Sequence, residues 1–164
     1  ETVEISDEGS IETRTRSAKE TKYTEFLAVP DEFIVISSGH GEFLFQILQK
    51  YAVHTVQPAY LDLDSFYDQH EDALTWKVGF DERDGRAENG VVHGENVLAD
   101  SDIGGIISLA SKNQLGLDYT YQETNVKISL ARSGYVEVYQ PSNFDISDFA
   151  SYISSEILPF VIVE

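Results

Sequence analysis

Apolar and polar residues alternate in short runs over much of this chain, and elsewhere the apolar spacing turns helical. Val3 and Ile5 alternate with polar neighbours, Asp7-Glu8-Gly9-Ser10 supplies a turn, and alternation resumes from Ile11 to Arg16. Residues 1–16 therefore predict a hairpin. Residues 23–29 and 32–37 predict a second one around Pro30-Asp31. Its run Phe33-Ile34-Val35-Ile36 is continuously apolar, the pattern of a central strand buried on both faces. Gly39 and Gly41 break the chain, and a helix follows to about Lys50 with Leu44, Ile47, Leu48 and Tyr51 on one face. A short helix is expected over 65–70. Leu74, Trp76, Val78 and Phe80 alternate with Thr75, Lys77 and Gly79, which predicts a half-buried strand. Asp84-Gly85 reads as a turn, followed by an extended segment to Leu98. Ser101 reads as the N-cap of a helix turning Ile103, Ile106, Ile107 and Ala110 inward.

The cleanest pattern spans 117–140: three short strands with tight turns. Leu117, Tyr119 and Tyr121 share a face; Val126, Ile128 and Leu130 follow, then Val136 and Val138. The last helix is expected to start at a Ser147 cap, present Phe149, Ile153 and Ile157, and stop before Pro159. Residues 26–51 and 126–158 both read strand, strand, loop, helix. The likeness is one of pattern with few identities, and fits either an internal duplication or the recurrence of a common motif. The expected fold is a single α+β domain over 1–164, with an N-terminal hairpin at 1–16. Its largely antiparallel sheet carries about three helices mainly on one face, and it contains two β-β-α units. The competing arrangement is two sheets from two half-domains.

Charge changes the picture most. The chain has 164 residues with 29 Asp plus Glu against 11 Lys plus Arg, a formal net charge of −18. Such an excess opposes compaction in dilute buffer, and molar salt removes most of the repulsion by shortening the Debye length to about 3 Å. Nine Phe and nine Tyr argue for a real core rather than an acidic tail. The composition points to a salt-filled cytosol, as in a halophilic archaeon. Acidity disfavours nucleic acid as a partner, although molar salt weakens that argument. There is no Cys, hence no disulfide, thiolate metal site or cysteine nucleophile. No apolar run approaches the roughly 20 residues of a membrane span and no signal-peptide pattern opens the chain. The expectation is a cytoplasmic protein away from membranes.

Candidate chemistry is thin. Ser37, Ser38, Gly39, His40 and Gly41 lie between an apolar strand and a helix start, where backbone N–H groups would bind an anion and His40 would add a donor or a general base. This is neither a Walker loop nor a dinucleotide fingerprint. Glu42 would oppose an anion, and a capped turn explains the same residues. Tyr60-Leu61-Asp62-Leu63-Asp64-Ser65-Phe66-Tyr67 resembles the first metal-binding motif of Y-family DNA polymerases, in which the positions matched by Asp62 and Asp64 sit around catalytic magnesium. The likeness covers eight residues; the family's later Asp-Glu pair should follow on a much longer palm, whereas here Ser6-Asp7-Glu8 comes before the motif. Two carboxylates at a helix start also serve as cap and dipole partner. The four histidines, at 40, 54, 70 and 93, have no metal-ligand spacing. Asp68, His70, Glu71 and Asp72 read as a solvated helix face. Arg14, Arg16, Lys19 and Lys22 gather four of the basic residues; they read as edge-strand charge or as a patch for an acidic partner.

Tyr135, Glu137 and Tyr139 alternate on one strand face, and Tyr119 and Tyr121 are expected alongside. Such a face would receive a partner chain or stack bases. The segments Trp76-Lys77-Val78-Gly79-Phe80, Asn89 to Glu95 and Gly134 to Pro141 are similar to those of a family of small acidic haloarchaeal proteins with no assigned activity. That resemblance implies the salt-rich source and transfers no site. Two functional expectations follow. The first is a non-catalytic interaction or regulatory domain that binds a protein partner or itself, with no cofactor and no metal. The second is a phosphate- or nucleotide-binding protein or enzyme using the 37–41 loop.

Overall fold

The computed structural model describes residues 2–5, 7, 9–14, 19–37, 41–51, 56–81 and 88–162. It is α+β with a largely antiparallel sheet, as the periodicity predicts. Strand β1 (Thr2–Ile5) pairs antiparallel with β2 (Ile11–Arg14). Strand β3 (Phe26–Val29) pairs with β4 (Phe33–Ile36), turning at Asp31, whose φ of 63° lies in the left-handed region that Asp tolerates. The apolar run Phe33–Ile36 is therefore not a central strand. It belongs to a two-stranded ribbon and is half-buried throughout. Helix α1 (Glu42–Tyr51) follows, with Leu44 and Leu48 half-buried but Ile47 and Tyr51 exposed.

Strand β5 (Tyr60–Leu61) leads into helix α2 (Leu63–Gln69). The main sheet is then built from β6 (Leu74–Asp81), β7 (Gly90–His93), β8 (Ser111–Tyr121), β9 (Thr124–Ala131) and β10 (Tyr135–Gln140). Its order is β10-β9-β8-β6-β7, every neighbour antiparallel. Gln122 and Glu123 both take positive φ, 45° and 65°, between β8 and β9. That is the two-residue turn whose twist matches the flanking strands. Helix α3 (Gly104–Ile107) is a single turn, and α4 (Ile146–Tyr152) runs on through a π-type turn (Ile153–Ile157) before β11 (Val161–Ile162) pairs with β5.

One face of the sheet carries the core. Val78, Leu115, Leu117, Val126, Ile128 and Leu130 meet Leu63 and Phe66 of α2, Ile107 of α3, and Tyr152, Ile153 and Ile157 of the C-terminal helix. Helix α1 contributes no residue to this cluster. The expected β-β-α orders both occur, as β3-β4-α1 and β9-β10-α4, but only the second belongs to the main sheet.

The expected Ser147 cap moves to Asp145, and α3, expected to be capped by Ser101, starts at Ile103 with no side-chain cap. Asp145 caps α4, accepting from Ser147 N at 2.7 Å and Asp148 N at 2.9 Å, and Asp148 reaches back to Asp145 N. Asp100 accepts from Asp102 N at 2.8 Å and Ile103 N at 3.0 Å, ahead of α3. A carboxylate one or two residues upstream takes the free amides that a serine would otherwise serve. Ile103 and Ile106 remain exposed on so short a helix. Among the described residues no helix is long and apolar enough to cross a membrane.

Candidate functional site

No described helix packs on the opposite face of the sheet, and a bulge in β6 shapes it. Thr75 opposes Leu117 and Lys77 opposes Gly116, so Trp76 is an extra residue in the ladder. This breaks the alternation expected of the strand. Thr75 is fully buried on the helix side with Val78, while Trp76 and Lys77 both turn to the open side and Leu74 is half-exposed. A bulge re-aims side chains in this way. Gly116 makes the arrangement possible: a Cβ there would lie 2.6 Å from Trp76 Cε2 and 2.7 Å from Lys77 Cβ. The indole leans across β8, donating from Nε1 to the Leu117 carbonyl at 3.3 Å.

Around that indole the open face gathers aromatic and charged groups. The Tyr139 ring meets Trp76 edge-on at 5.6 Å, His93 lies 6.3 Å away, and Lys127 Nζ sits 5.1 Å over the indole. Lys77 reaches the buried Ser129 hydroxyl at 3.3 Å. Tyr135 is 40% exposed and Tyr139 48%. The Tyr135 hydroxyl donates to Glu137 at 2.7 Å, and this bond pushes its phenol up to about 12. Glu137 also raises Tyr139. Raised phenols stay protonated in the folded state. Their contribution to stability is present below pH 10 and is lost as pH rises through the folded value. Glu137→Gln is expected to return the Tyr135 titration toward about 10, the ordinary tyrosine value, read from phenolate absorbance. An unchanged titration would show that Glu137 does not hold these hydroxyls.

The four tyrosines expected together are divided between the two faces. Tyr135 and Tyr139 lie on the open side. Tyr119 and Tyr121 lie under the C-terminal helix, where Tyr119 bonds the Tyr152 hydroxyl at 2.8 Å and Tyr121 bonds Ser155 at 2.9 Å. Their alternation is in phase with Leu117, and Leu117 is core. Burial pushes the Tyr119 and Tyr152 phenols far above their ordinary range.

The other candidates resolve into scaffolding or fall outside view. Ser38, Gly39 and His40 of the loop lie outside the described residues, as do His54, Arg16 and the Asp84-Gly85 turn. At its flanks, Ser37 N donates to the Glu25 carbonyl at 2.9 Å. Gly41 is buried, where a Cβ would collide with Ile36. Asp62 caps α2, accepting from Ser65 N at 3.0 Å and Ser65 Oγ at 2.6 Å, and those bonds lower its pKa. Asp64 pairs with buried Lys112. The acid pair of the polymerase-like octapeptide is thus a cap and an ion pair. His70 is stacked on Phe66 and bridges the Phe66 carbonyl at 2.8 Å and Glu156 at 3.3 Å, tying α2 to the C-terminal helix. Among the described residues no group of three or more His, Asp or Glu is placed to hold a metal ion.

An open cleft of about 370 Å³ lies at the sheet corner, lined by Tyr60, Asp81, Asn113, Gln114, Arg132 and Ser133. Arg132 binds Asp81 at 2.9 Å, Ser111 at 2.8 Å and the Lys112 carbonyl at 2.8 Å. Its donors are spent on clamping β6 to β8 rather than held for a ligand. Comparison with protein-family models, with characterised proteins and with solved structures finds no significant match.

Proposed function

We propose that this chain is a non-catalytic interaction domain of a halophilic archaeon, working in the cytoplasm and engaging a protein through the open face of its five-stranded sheet. The observation that carries this reading is the grouping of Trp76, Tyr135 and Tyr139 on the side of the sheet that no described helix covers. Aromatic side chains half-exposed on a rigid sheet are what protein interfaces use as anchors. The acidic composition supports the salt-rich setting.

A photo-crosslinking residue in place of Val91, which is 46% exposed beside this face, tests the reading in cells. It is expected to capture protein several-fold more efficiently than the same residue at Ile146, 73% exposed on α4. Equal capture at the two positions would overturn the assignment. Shifts of the Ser37 and Gly41 amide resonances on adding phosphate or a nucleotide would instead favour a ligand-binding loop.

A further inference from the structure

We propose that the occupant of the open face is a second copy of this chain, stacked face to face about a two-fold axis that runs along the strands between β8 and β9. The inference rests on the function proposed above and names its partner.

The argument comes from the register. Reading across the sheet, Glu137, Ser129, Gly116 and Lys77 stand at one level on β10, β9, β8 and β6. A two-fold along the strands between β8 and β9 exchanges β8 with β9 and β6 with β10 while keeping each level. It places Lys77 of one copy over the partner's Glu137. At the next outward-facing level Asp118 stands opposite Lys127, and the same rotation places each over its opposite charge in the partner. In the other direction, Gly79, Gln114, Ala131 and Tyr135 share a level. There the rotation lays the exposed Tyr135 ring over Gly79, where the Asn113 and Gln114 side chains close over the glycine and form its floor. Trp76 and Tyr139, each the extra residue at its own bulge, exchange places near the centre. Positive meets negative at both charged levels of the four strands that overlap, and β7 lies outside them.

Charge also selects a copy over an unrelated protein. The face carries two lysines and two carboxylates at these positions, on a chain that is −18 overall. None of Lys77, Lys127, Asp118 or Glu137 is in an ion pair within the chain among the described residues. A strongly acidic partner would meet Asp118 and Glu137, and a strongly basic one Lys77 and Lys127. A rotated copy of the same face sets each against its complement, as isologous interfaces require. Size fits as well. The four strands that overlap present roughly 500 Å² of flat sheet, and side-chain relief brings this toward the ~800 Å² per partner of a standard interface.

Analytical ultracentrifugation in 2 M KCl, from micromolar to near-millimolar protein, is the test. The wild-type chain is expected to dimerise within that range. Glu137→Lys should weaken the dimer at least tenfold, because like charges then face each other across the two-fold. Adding Lys77→Glu to that variant should restore most of the affinity, and adding Lys127→Glu should not. Circular dichroism of each variant verifies the fold. A wild-type monomer at every concentration, or a charge swap that fails to rescue in folded protein, overturns the proposal. If the chain is monomeric while the Val91 crosslinker captures a different protein, the homodimer falls and the interaction face stands. If it is monomeric and Val91 captures nothing, both fall.

Discussion

Raising KCl from 0.1 M to 2 M is expected to raise the melting temperature by about 10–20 °C. Eighteen uncompensated negative charges, spread over a sphere of roughly 20 Å radius, repel one another more than they do in the expanded chain. The difference shrinks by on the order of 5 kcal/mol over that salt range as the Debye length contracts. Net domain stability is only about 5–15 kcal/mol, so this term is decisive. For a chain of this size about 1 kcal/mol moves the midpoint by roughly 2–4 °C. Six lysines offer little local relief, and one of them, Lys112, is buried in the ion pair with Asp64. A thermal melt in the two buffers measures the effect. A midpoint unchanged or lower at 2 M would remove the high-salt reading and with it the proposed source and compartment.

The same experiment against pH separates two populations of carboxylates. At 0.1 M KCl, acidification toward pH 5 should raise the midpoint, since protonating mutually repelling surface acids relieves strain. Asp62 and Asp100 act in the opposite sense. The Ser65 hydroxyl and amide hold the Asp62 pKa below its ordinary 3.8, and the Asp102 and Ile103 amides do the same for Asp100. A carboxylate depressed in the folded state contributes stability above its unfolded pKa, and that contribution disappears as pH falls through the folded one. Below about pH 4 these carboxylate–amide bonds are lost and the midpoint should turn down. At 2 M KCl, where repulsion is already screened, only the downturn should remain.

Which elements could be read from the sequence follows from which forces are local. The three strands over 117–140 were legible because both their alternation and their turns reside within a few residues, although β8 starts earlier, at Ser111. Their in-phase positions Leu117, Val126, Ile128 and Leu130 all lie in the core. Strand β6 was legible as a strand but its faces were not. The bulge at Trp76 inserts one residue, so the phase before it is reversed, and no pattern within 74–81 marks the insertion. The cause lies forty residues on, in Gly116, whose missing side chain gives the indole its bed. The same non-locality separated Tyr119 and Tyr121 from Tyr135 and Tyr139, since faces are assigned by pairing through β9 and not by residue type. Phe33–Ile36 misled for a related reason. Continuous apolarity records half-burial in a ribbon as readily as full burial in a sheet. The proposed interaction face was half visible, as the tyrosines of β10, and its centre at Trp76 was hidden by the bulge.

Asp64→Ala is expected to cost about 2 kcal/mol, a midpoint loss of roughly 4–8 °C. Lys112 is 5% exposed on the core side of β8, its ammonium held by Asp64 of α2, with the Tyr67 ring 5.5 Å away. Among the described residues, removing the carboxylate leaves the buried charge only that ring for company. Full burial of both partners would make the penalty about 3–5 kcal/mol. Asp64 is 50% exposed, so water offsets part of it. The second arm is Lys112→Met, which keeps an unbranched chain of similar length and takes the charge away. Combined with Asp64→Ala it should recover most of the loss, because an apolar replacement of a buried pair is close to neutral. A buried pair is little screened. The cost of Asp64→Ala should therefore be the same at 0.5 M and 3 M KCl, even as the whole curve moves with salt. Magnesium at matched ionic strength should leave the wild-type midpoint unmoved, since Asp62 and Asp64 are occupied as a cap and a counter-ion. A harmless Asp64→Ala, a loss that Lys112→Met does not relieve, or stabilisation by magnesium would return the octapeptide from scaffold to candidate metal site.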